Sequence, residues 1–386
     1  MNRKVKIESL AFGGEGVGRM DGKVCFVKDA LPGEQVLFRT IKESPKFIKG
    51  ELEEILVPSL ERIQPECRYY GDCGGCQLQH LPYERELFYK KEQAVQLIRR
   101  IAGLKEFDCG DILPSRDPYH YRSSVTLHKS PGGGYGFFAR DARTIIEILD
   151  CPIAEEVINR ELGDISVSSG KDRVTLKADH NGRVWSTDRP GERFYVDRYG
   201  DTDIYVSPRS FTQCNREITE KISETLDEWM GDAGDETAFF DVYCGVGLFC
   251  FLLKRDFGVR IGMELERTAV DCAKTTVKNR QLENTKFYRG DAEKEFLPLF
   301  RKSKKQKNFV LLDPPRKGVG RPFLEDIRSE KDIDRMYYLS CDPARAARDI
   351  KIITSDSPWG LGRVRLFDMF PRTKHIETLI EFVKDR

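Results

Sequence analysis

The sequence predicts an α/β protein, with a doubly wound, Rossmann-like domain preceded by an OB-like β-barrel and a β-rich central region. Strand-like and helix-like segments alternate from about residue 209 onward, which is typical of a parallel sheet covered by helices. Short alternating segments fill residues 1–58, and further strand patterns surround a cysteine-rich loop in between. We therefore expect domains at 1–58, 59–208 and 209–386.

Composition indicates a globular protein with ample core. The chain has 386 residues, of which 39% are hydrophobic and 33% charged. Its net charge of +1 gives no overall nucleic-acid signal, so any basic surface must be local. No apolar run has membrane-spanning length, and no signal peptide precedes the first strand pattern. We expect a cytoplasmic monomer with no membrane partner.

The N-terminal barrel is predicted by strand patterns at Val5–Ile7, Val24–Val27, Val36–Ile41 and Ile48–Leu56, with a glycine-rich crossing at Gly13–Gly18. Such barrels commonly bind RNA. Five basic residues could form the binding face: Lys28, Arg39, Lys42, Lys46 and Lys49. A solvated barrel of mixed charge fits these residues equally well.

Three closely spaced cysteines, Cys67, Cys73 and Cys76, predict a chelating loop, because the glycines among them let the backbone wrap. Cys151 is the best fourth ligand, with Cys109 as the alternative. Structural zinc and a [4Fe–4S] cluster both accept four thiolates. Zinc sites usually come as two paired C-x2-C arms, so this spacing favours the cluster.

An amphipathic helix is predicted over Tyr83–Ala102. Its apolar stripe consists of Leu87, Val95, Ile98 and Ala102, with Lys90, Lys91, Arg99 and Arg100 outside the stripe.

Polar or glycine-rich residues follow successive strands of the C-terminal domain. Cys244–Gly247 follows the first, Glu264 ends the second, and Asp291 and Asp313 follow the next two. Carboxyl ends of parallel strands share one sheet edge, where ligands bind. The loop lacks the third glycine of a diphosphate cradle, which points to a nucleoside-like cofactor such as S-adenosylmethionine.

Cys341 lies between a strand ending at Ser340 and a predicted helix that Asp342 caps. Amide dipoles at a helix N-terminus favour a thiolate, so we expect a lowered pKa and a nucleophile here.

Five motifs carry most information: Ser210–Asn215, Asp241–Gly247, Leu312–Arg316, Ser340–Pro343 and Phe370–Thr378. With the barrel and the C-x5-C-x2-C…C spacing, the chain resembles the RNA uridine-C5 methyltransferases with a TRAM domain, a family that forms 5-methyluridine in ribosomal or transfer RNA. The resemblance implies S-adenosylmethionine and a [4Fe–4S] cluster as cofactors. It implies a cofactor site at Gln213, Tyr243, Gly245, Glu264, Asp291 and Asp313. It implies Cys341 as nucleophile, Glu377 as base, and Cys67, Cys73, Cys76 and Cys151 as cluster ligands.

This chemistry explains the residue types. Uracil C5 attacks a methyl sulfonium only after a thiolate adds to C6, and a general base must then remove the C5 proton. His375 is a second candidate for the base. The target base must leave its stack, and Phe211, Tyr119 and Tyr121 are candidates to stack on it or on its neighbours.

By resemblance the barrel favours 23S ribosomal RNA as substrate. The alternatives are a transfer-RNA uridine-54 methyltransferase and a non-catalytic iron–sulfur RNA-binding protein. An amino- or DNA-methyltransferase would need an Asn-Pro-Pro-Tyr-type motif where this chain has Asp313-Pro314-Pro315-Arg316.

Overall fold

The structure is a computed structural model that describes residues 2–168, 170–189, 191 and 193–384. It consists of a closed barrel, a five-stranded sheet, a two-stranded sheet and an eight-stranded sheet. Within the described residues, none of the helices combines the length and apolar character needed to cross a membrane.

The predicted N-terminal barrel is confirmed. Its strands are β1 (Asn2–Leu10), β2 (Glu15–Met20), β3 (Lys23–Lys28), β4 (Gln35–Glu43) and β5 (Phe47–Val57). They close in the order β1-β2-β3-β5-β4 around a core that includes Val5, Ile7 and Phe38. A Cβ on Gly50 would lie 2.1 Å from the Phe38 ring, so only glycine lets β5 pass this side chain.

The central region combines one sheet with two helices. Its elements are α1 (Tyr83–Ala102), β6 (Asp108–Cys109), β7 (Ser124–Lys129), β8 (Tyr135–Phe138), β9 (Ile145–Glu147), α2 (Glu156–Ser168), β10 (Arg173–Ala178), β11 (Val184–Ser186), β12 (Tyr195–Tyr199) and β13 (Thr202–Val206). The sheet order is β11-β10-β7-β8-β9, and β12 pairs with β13. The cysteine loop lies against this sheet, where Gly74 N donates to Phe138 O at 2.9 Å.

The C-terminal domain is the predicted doubly wound sheet. Its elements are α3 (Arg216–Met230), β14 (Thr237–Val242), α4 (Leu248–Leu252), β15 (Val259–Glu264), α5 (Arg267–Arg280), β16 (Thr285–Arg289), α6 (Ala292–Ser303), β17 (Lys307–Leu312), α7 (Arg321–Ser329), β18 (Arg335–Ser340), α8 (Pro343–Thr354), β19 (Trp359–Phe367) and β20 (Glu377–Lys384). The sheet order is β16-β15-β14-β17-β18-β20-β19-β6.

Both faces of this sheet are buried. Phe239 and Leu311 enter one core cluster, and their neighbours Phe240 and Leu312 enter the cluster on the opposite face. Successive side chains point to opposite faces, so strands covered on both sides read as continuous apolar runs. β14 to β18 run parallel, whereas β20 is antiparallel to β18.

Two elements within residues 59–208, the range predicted for the central domain, pack on the C-terminal one. Helix α1 packs on α8, and β6 pairs with β19 at the sheet edge. The predicted face of α1 is also wrong in part, because its buried residues are Glu86, Lys90, Ala94 and Ile98. Lys90 is 2% exposed and lies 2.7 Å from carboxylates of both Glu86 and Asp368. These ion pairs place a lysine where the pattern predicts solvent.

Candidate active site

The candidate site follows one edge of the eight-stranded sheet. From one side of the sheet to the other, neighbouring strands β16, β15, β14, β17, β18 and β20 bring the following residues to that edge: Asp291, Glu264, Tyr243 and Gly245, Asp313, Cys341 and Glu377. All of them line one cavity of about 1880 Å³. Because β20 is antiparallel, its first residue lies where the parallel strands end. The structure therefore brings the predicted catalytic and cofactor residues together.

The loop after β14 has the backbone that a close-fitting ligand requires. Tyr243, Gly245 and Gly247 all have positive φ angles, of 66°, 55° and 84°. A Cβ on Gly247 would lie 2.5 Å from the Phe287 ring. Glu264 accepts hydrogen bonds from Gly245 N at 3.1 Å and Glu266 N at 2.8 Å, so its carboxylate is fixed beside the loop. This arrangement fits a nucleoside whose ribose hydroxyls face the Glu264 carboxylate.

Asp291 caps α6, because its side chain accepts from Glu293 N at 3.1 Å. It also pairs with Lys294 at 2.9 Å, and that hydrogen bond lowers the pKa of the Asp291 carboxyl. The capping role that its sequence position allows is therefore present, and Asp291 lines the cavity as well.

Asp313 and Gln213 meet in the middle of the edge. Gln213 Nε2 donates to Asp313 Oδ2 at 3.5 Å, and Gln213 is 6% exposed. Removal of Asp313 from water raises its pKa to about 7, with a smaller contribution from the negative charge of Glu264. The Asp313 carboxyl can therefore donate or accept a proton near neutral pH.

Cys341 occupies the predicted junction between β18 and α8, but its predicted pKa shift is wrong. Asp342 caps α8 by accepting from Ala344 N at 3.0 Å and Arg345 N at 3.2 Å, as expected. Partial burial, and then the carboxylate of Glu377, nevertheless raise the pKa of the Cys341 thiol to about 12. Arg316 acts in the opposite direction. Desolvation outweighs the helix N-terminus here because the sulfur lies in the cavity wall.

Glu377 is 3% exposed at the start of β20. Ser340 pairs with Thr378, so Cys341 and Glu377 are adjacent residues at the end of the β18–β20 ladder. Burial, and then Asp313, raise the pKa of Glu377 well above the usual value, and Arg316 opposes the shift. The other candidate base, His375, packs on the Phe370 ring, and burial lowers its pKa to about 4.

Two cavity-lining residues have no role in the sequence analysis. Arg316 is an exposed cation whose charge lowers the pKa of both Cys341 and Glu377. Its place in the motif after Asp313 is the signal that could have found it. Lys177 in β10 is 3% exposed and donates to Ser210 O and, at 3.1 Å, to Thr212 Oγ1. Nothing in the local sequence marks Lys177, because its partners lie in another segment.

The three aromatic residues predicted to stack on RNA bases have different environments in the structure. Phe211 is 72% exposed and lines the cavity, so its ring is free to contact a base. Tyr119 is buried and lies beside the Arg372 guanidinium, and the Tyr121 hydroxyl donates to Pro371 O at 3.0 Å. Both tyrosines are structural, so the stacking prediction is wrong for them.

The four predicted cysteine ligands line the same cavity. The pKa of the Cys76 thiol is raised by burial and by the charges of Cys151, Cys73 and Cys67, so the four sulfurs lie within electrostatic range. Cys109 lies instead in β6, next to Lys91 and Asp108. Among the residues that the structure describes, no group of three or more His, Cys, Asp or Glu side chains could hold a metal ion.

The cavity extends from the sheet edge past the cysteine loop to the barrel, where Lys28 and Lys49 line it. Lys49 pairs with Glu15 at 3.3 Å and Lys28 with Glu51 at 3.8 Å. The predicted basic face of the barrel is therefore partly neutralised by its own acidic residues.

Comparison with known proteins agrees with this geometry. The sequence model of the tRNA (uracil-5-)-methyltransferase family matches residues 201–384, and that of the TRAM domain matches residues 2–52. An uncharacterized RNA methyltransferase of Clostridium acetobutylicum is 30% identical, with 98% of this chain and 96% of that protein covered. The 23S rRNA (uracil(1939)-C(5))-methyltransferase RlmD of Vibrio parahaemolyticus is 28% identical, with 99% and 96% covered.

Among solved structures, the Pyrococcus abyssi tRNA (uracil-54, C5)-methyltransferase in complex with S-adenosyl-L-homocysteine has the same fold. Its TM-score is 0.73 at 21% identity, and the match covers 99% of this chain and 100% of that one. The enzyme class predicted from the sequence, an S-adenosylmethionine-dependent RNA uracil-5-methyltransferase, is thereby confirmed. The chain belongs to the RNA uracil-5-methyltransferases.

Proposed function

We propose that the protein transfers a methyl group from S-adenosylmethionine to C5 of a specific uridine in 23S ribosomal RNA, through a covalent bond between Cys341 and C6. The observation that carries this proposal is the order of residues along the sheet edge. Asp313 lies between the cofactor residues of β14 and β15 and the pair formed by Cys341 and Glu377. A uracil ring above Asp313 can face the methyl donor with C5 and the thiol with C6.

Cys341 begins the reaction. Its thiol must lose a proton to solvent, and its raised pKa makes this step unfavourable in the free protein. Arg316, which favours the thiolate, lies on the same wall. The Cys341 Sγ electron pair forms the bond to C6, and the C5–C6 π pair moves toward C5 and the O4 oxygen. Asp313, with its pKa of about 7, can hydrogen-bond the uracil edge as charge develops there.

S-Adenosylmethionine supplies an electrophilic methyl group on a sulfonium. Glu264 and the positive-φ loop around Gly245 fit its ribose and position it. C5 takes the methyl group, and the old methyl–sulfur bonding pair stays on the departing sulfur. C5 then carries both a methyl group and its original hydrogen.

Glu377 completes the cycle. Its carboxylate takes the C5 proton, the released pair re-forms the C5–C6 double bond, and Cys341 leaves as a thiolate. Glu377 must be ionised to accept this proton, and Arg316, which opposes the rise of its pKa, favours the ionised form. His375, neutral and packed on Phe370, is not needed for this step.

Cys67, Cys73, Cys76 and Cys151 are proposed to hold a [4Fe–4S] cluster. The donor set fits, since all four are free thiols within electrostatic range of each other. Gly75 N lies 3.4 Å from Cys73 Sγ, an amide–sulfur hydrogen bond of the kind that stabilises thiolate ligands. A cluster spans more space than one ion, which is compatible with the absence of a single-ion site among the described residues.

The choice of ribosomal RNA rests on the TRAM barrel and on the RlmD relatives, which share nearly the full length of this chain. The cavity reaches from the catalytic edge to the barrel at 1–58, so one RNA could contact both. Transfer RNA is the second candidate, because the Pyrococcus abyssi enzyme with the same fold is a tRNA (uracil-54, C5)-methyltransferase. Membership of an enzyme family argues against the non-catalytic alternative.

One experiment tests these roles. The protein is incubated with labelled S-adenosylmethionine and either 23S rRNA or total tRNA, and the methylated nucleotide is mapped. Cys341→Ala should abolish methylation, because the variant lacks the sulfur that is proposed to add to C6. Glu377→Gln should accumulate a methylated RNA–protein adduct that survives denaturing gel electrophoresis. Normal turnover by either variant would refute the role assigned to the replaced residue. Methylation of tRNA alone would show that transfer RNA, and not 23S rRNA, is the substrate.

A further inference from the structure

The segment between β19 and β20, residues 368–376, determines where Glu377 lies, because Glu377 is the residue that follows it. We call this segment the base loop. Two of its residues, Phe370 and Lys374, line the cavity. Inside it, Arg372 is 5% exposed and has a φ of 65°, a left-handed conformation that surrounding contacts must hold in a residue other than glycine.

Helix α1 holds the base loop from one side. Lys90 Nζ donates to Asp368 Oδ1 at 2.7 Å and to Phe370 O at 3.1 Å. Glu86 Oε1 accepts from Arg372 N at 2.7 Å. These contacts fix the first half of the loop.

The cysteine loop holds the second half. Gln77 N and Leu78 N both donate to Arg372 O at 3.0 Å. The Gln77 side chain accepts from Lys374 N at 3.0 Å through Oε1 and donates to Gly74 O at 2.8 Å through Nε2. Gly74 lies between Cys73 and Cys76, and Gln77 directly follows Cys76. One side chain therefore bonds the turn that carries two cysteine ligands to the backbone three residues before Glu377.

We propose that Gln77 is a positioning residue for Glu377, which fixes the base loop relative to the cysteine loop so that the carboxylate reaches the C5 proton. The inference rests on the proposed function, in which Glu377 is the base. Cys341 follows β18, and the hydrogen bonds of Gln77 among the described residues reach the cysteine loop and the base loop. Loss of the Gln77 amide should therefore slow removal of the C5 proton and leave addition of Cys341 to C6 unchanged.

The test compares three variants of the full-length protein loaded with iron. Gln77→Met keeps the chain length but removes both amide hydrogen bonds. Gln77→Glu keeps an oxygen that can accept from Lys374 N. Gln93→Met is the matched control, since Gln93 bonds Leu10 O between α1 and the barrel. Each is assayed for kcat, KM for RNA, iron per chain, and the fraction of RNA trapped as a methylated adduct during turnover.

We expect Gln77→Met to lower kcat about fivefold, the effect of losing the one side-chain hydrogen bond that reaches the base loop, and to raise the adduct fraction by a similar factor. KM and iron content should match the wild type. Gln77→Glu should lie closer to the wild type, and Gln93→Met should equal it. Three results would overturn the inference: an unchanged adduct fraction in Gln77→Met, equal accumulation in Gln77→Glu, or a loss of iron in proportion to kcat. Failure of the proposed function would instead appear as no methylation by the wild type or no adduct in Glu377→Gln.

Discussion

Replacing Lys90 with methionine should destabilise the protein strongly. Lys90 is buried between Glu86 and Asp368, each 2.7 Å from its ammonium. In the variant, Glu86 keeps Arg372 at 3.3 Å, whereas Asp368 keeps the Tyr83 hydroxyl, a neutral donor, at 2.9 Å. Removing one partner from such a buried group leaves an uncompensated charge, which costs about 4 kcal/mol.

The loss should depend on pH in a defined direction. Burial raises the pKa of Glu86, and Lys90 is the group that most opposes this shift, so removing the cation raises the pKa further. A carboxyl with a raised pKa is neutral below that value and needs no cation there. The destabilisation should therefore be smaller at about pH 5.5 than at about pH 8.

Urea unfolding followed by circular dichroism at both pH values measures the effect. Lys91→Met is the matched control, because Lys91 is the neighbouring residue on α1 and pairs with Asp111, whose side chain is 95% exposed. We expect no resolvable change in that variant. If Lys90→Met lowers the free energy of unfolding by less than about 1 kcal/mol, or if the decrease grows as the pH falls, the ion pairs assigned to Lys90 would be contradicted.

Two further predictions concern the cavity wall. Arg316→Gln should slow alkylation of Cys341 by iodoacetamide at about pH 8, because loss of the cation raises the thiol pKa further; unchanged kinetics would show that Arg316 does not act on the sulfur. Cys151→Ser should lower the iron bound per chain after anaerobic reconstitution, whereas Cys109→Ser should retain it. The reason is that Cys109 lies in β6, and Cys151 lies beside the other three cysteines. Equal iron in both variants would refute the proposed ligand set.

Much of the sheet and its edge could be predicted from sequence, because the relevant signals are local. A buried apolar run that ends in a polar residue marks the end of a parallel strand, and Glu264 and Asp313 were found in this way. The capping of α8 by Asp342 is equally local.

The predictions that were wrong concern side chains whose environment is set by contacts between distant segments. The burial of Lys90 is set by Asp368, and the raised pKa of Cys341 by cavity burial and Glu377. Helical periodicity and the residues next to Cys341 contain no information on either partner. Tyr119 and Tyr121 were misassigned for the same reason, since their partners lie in the base loop.

The position of β20 also constrains how the chain becomes active. β20 lies between β18 and β19, although both of those strands are synthesised before it. β20 directly follows β19 and pairs antiparallel with it, so the two strands can form as a hairpin before β20 pairs with β18. Glu377 arrives with that strand, whereas Cys341 is present earlier. Under the proposed function, a chain in which β20 has not yet paired with β18 would hold the nucleophile Cys341 without the base Glu377, and would bond to RNA without releasing it.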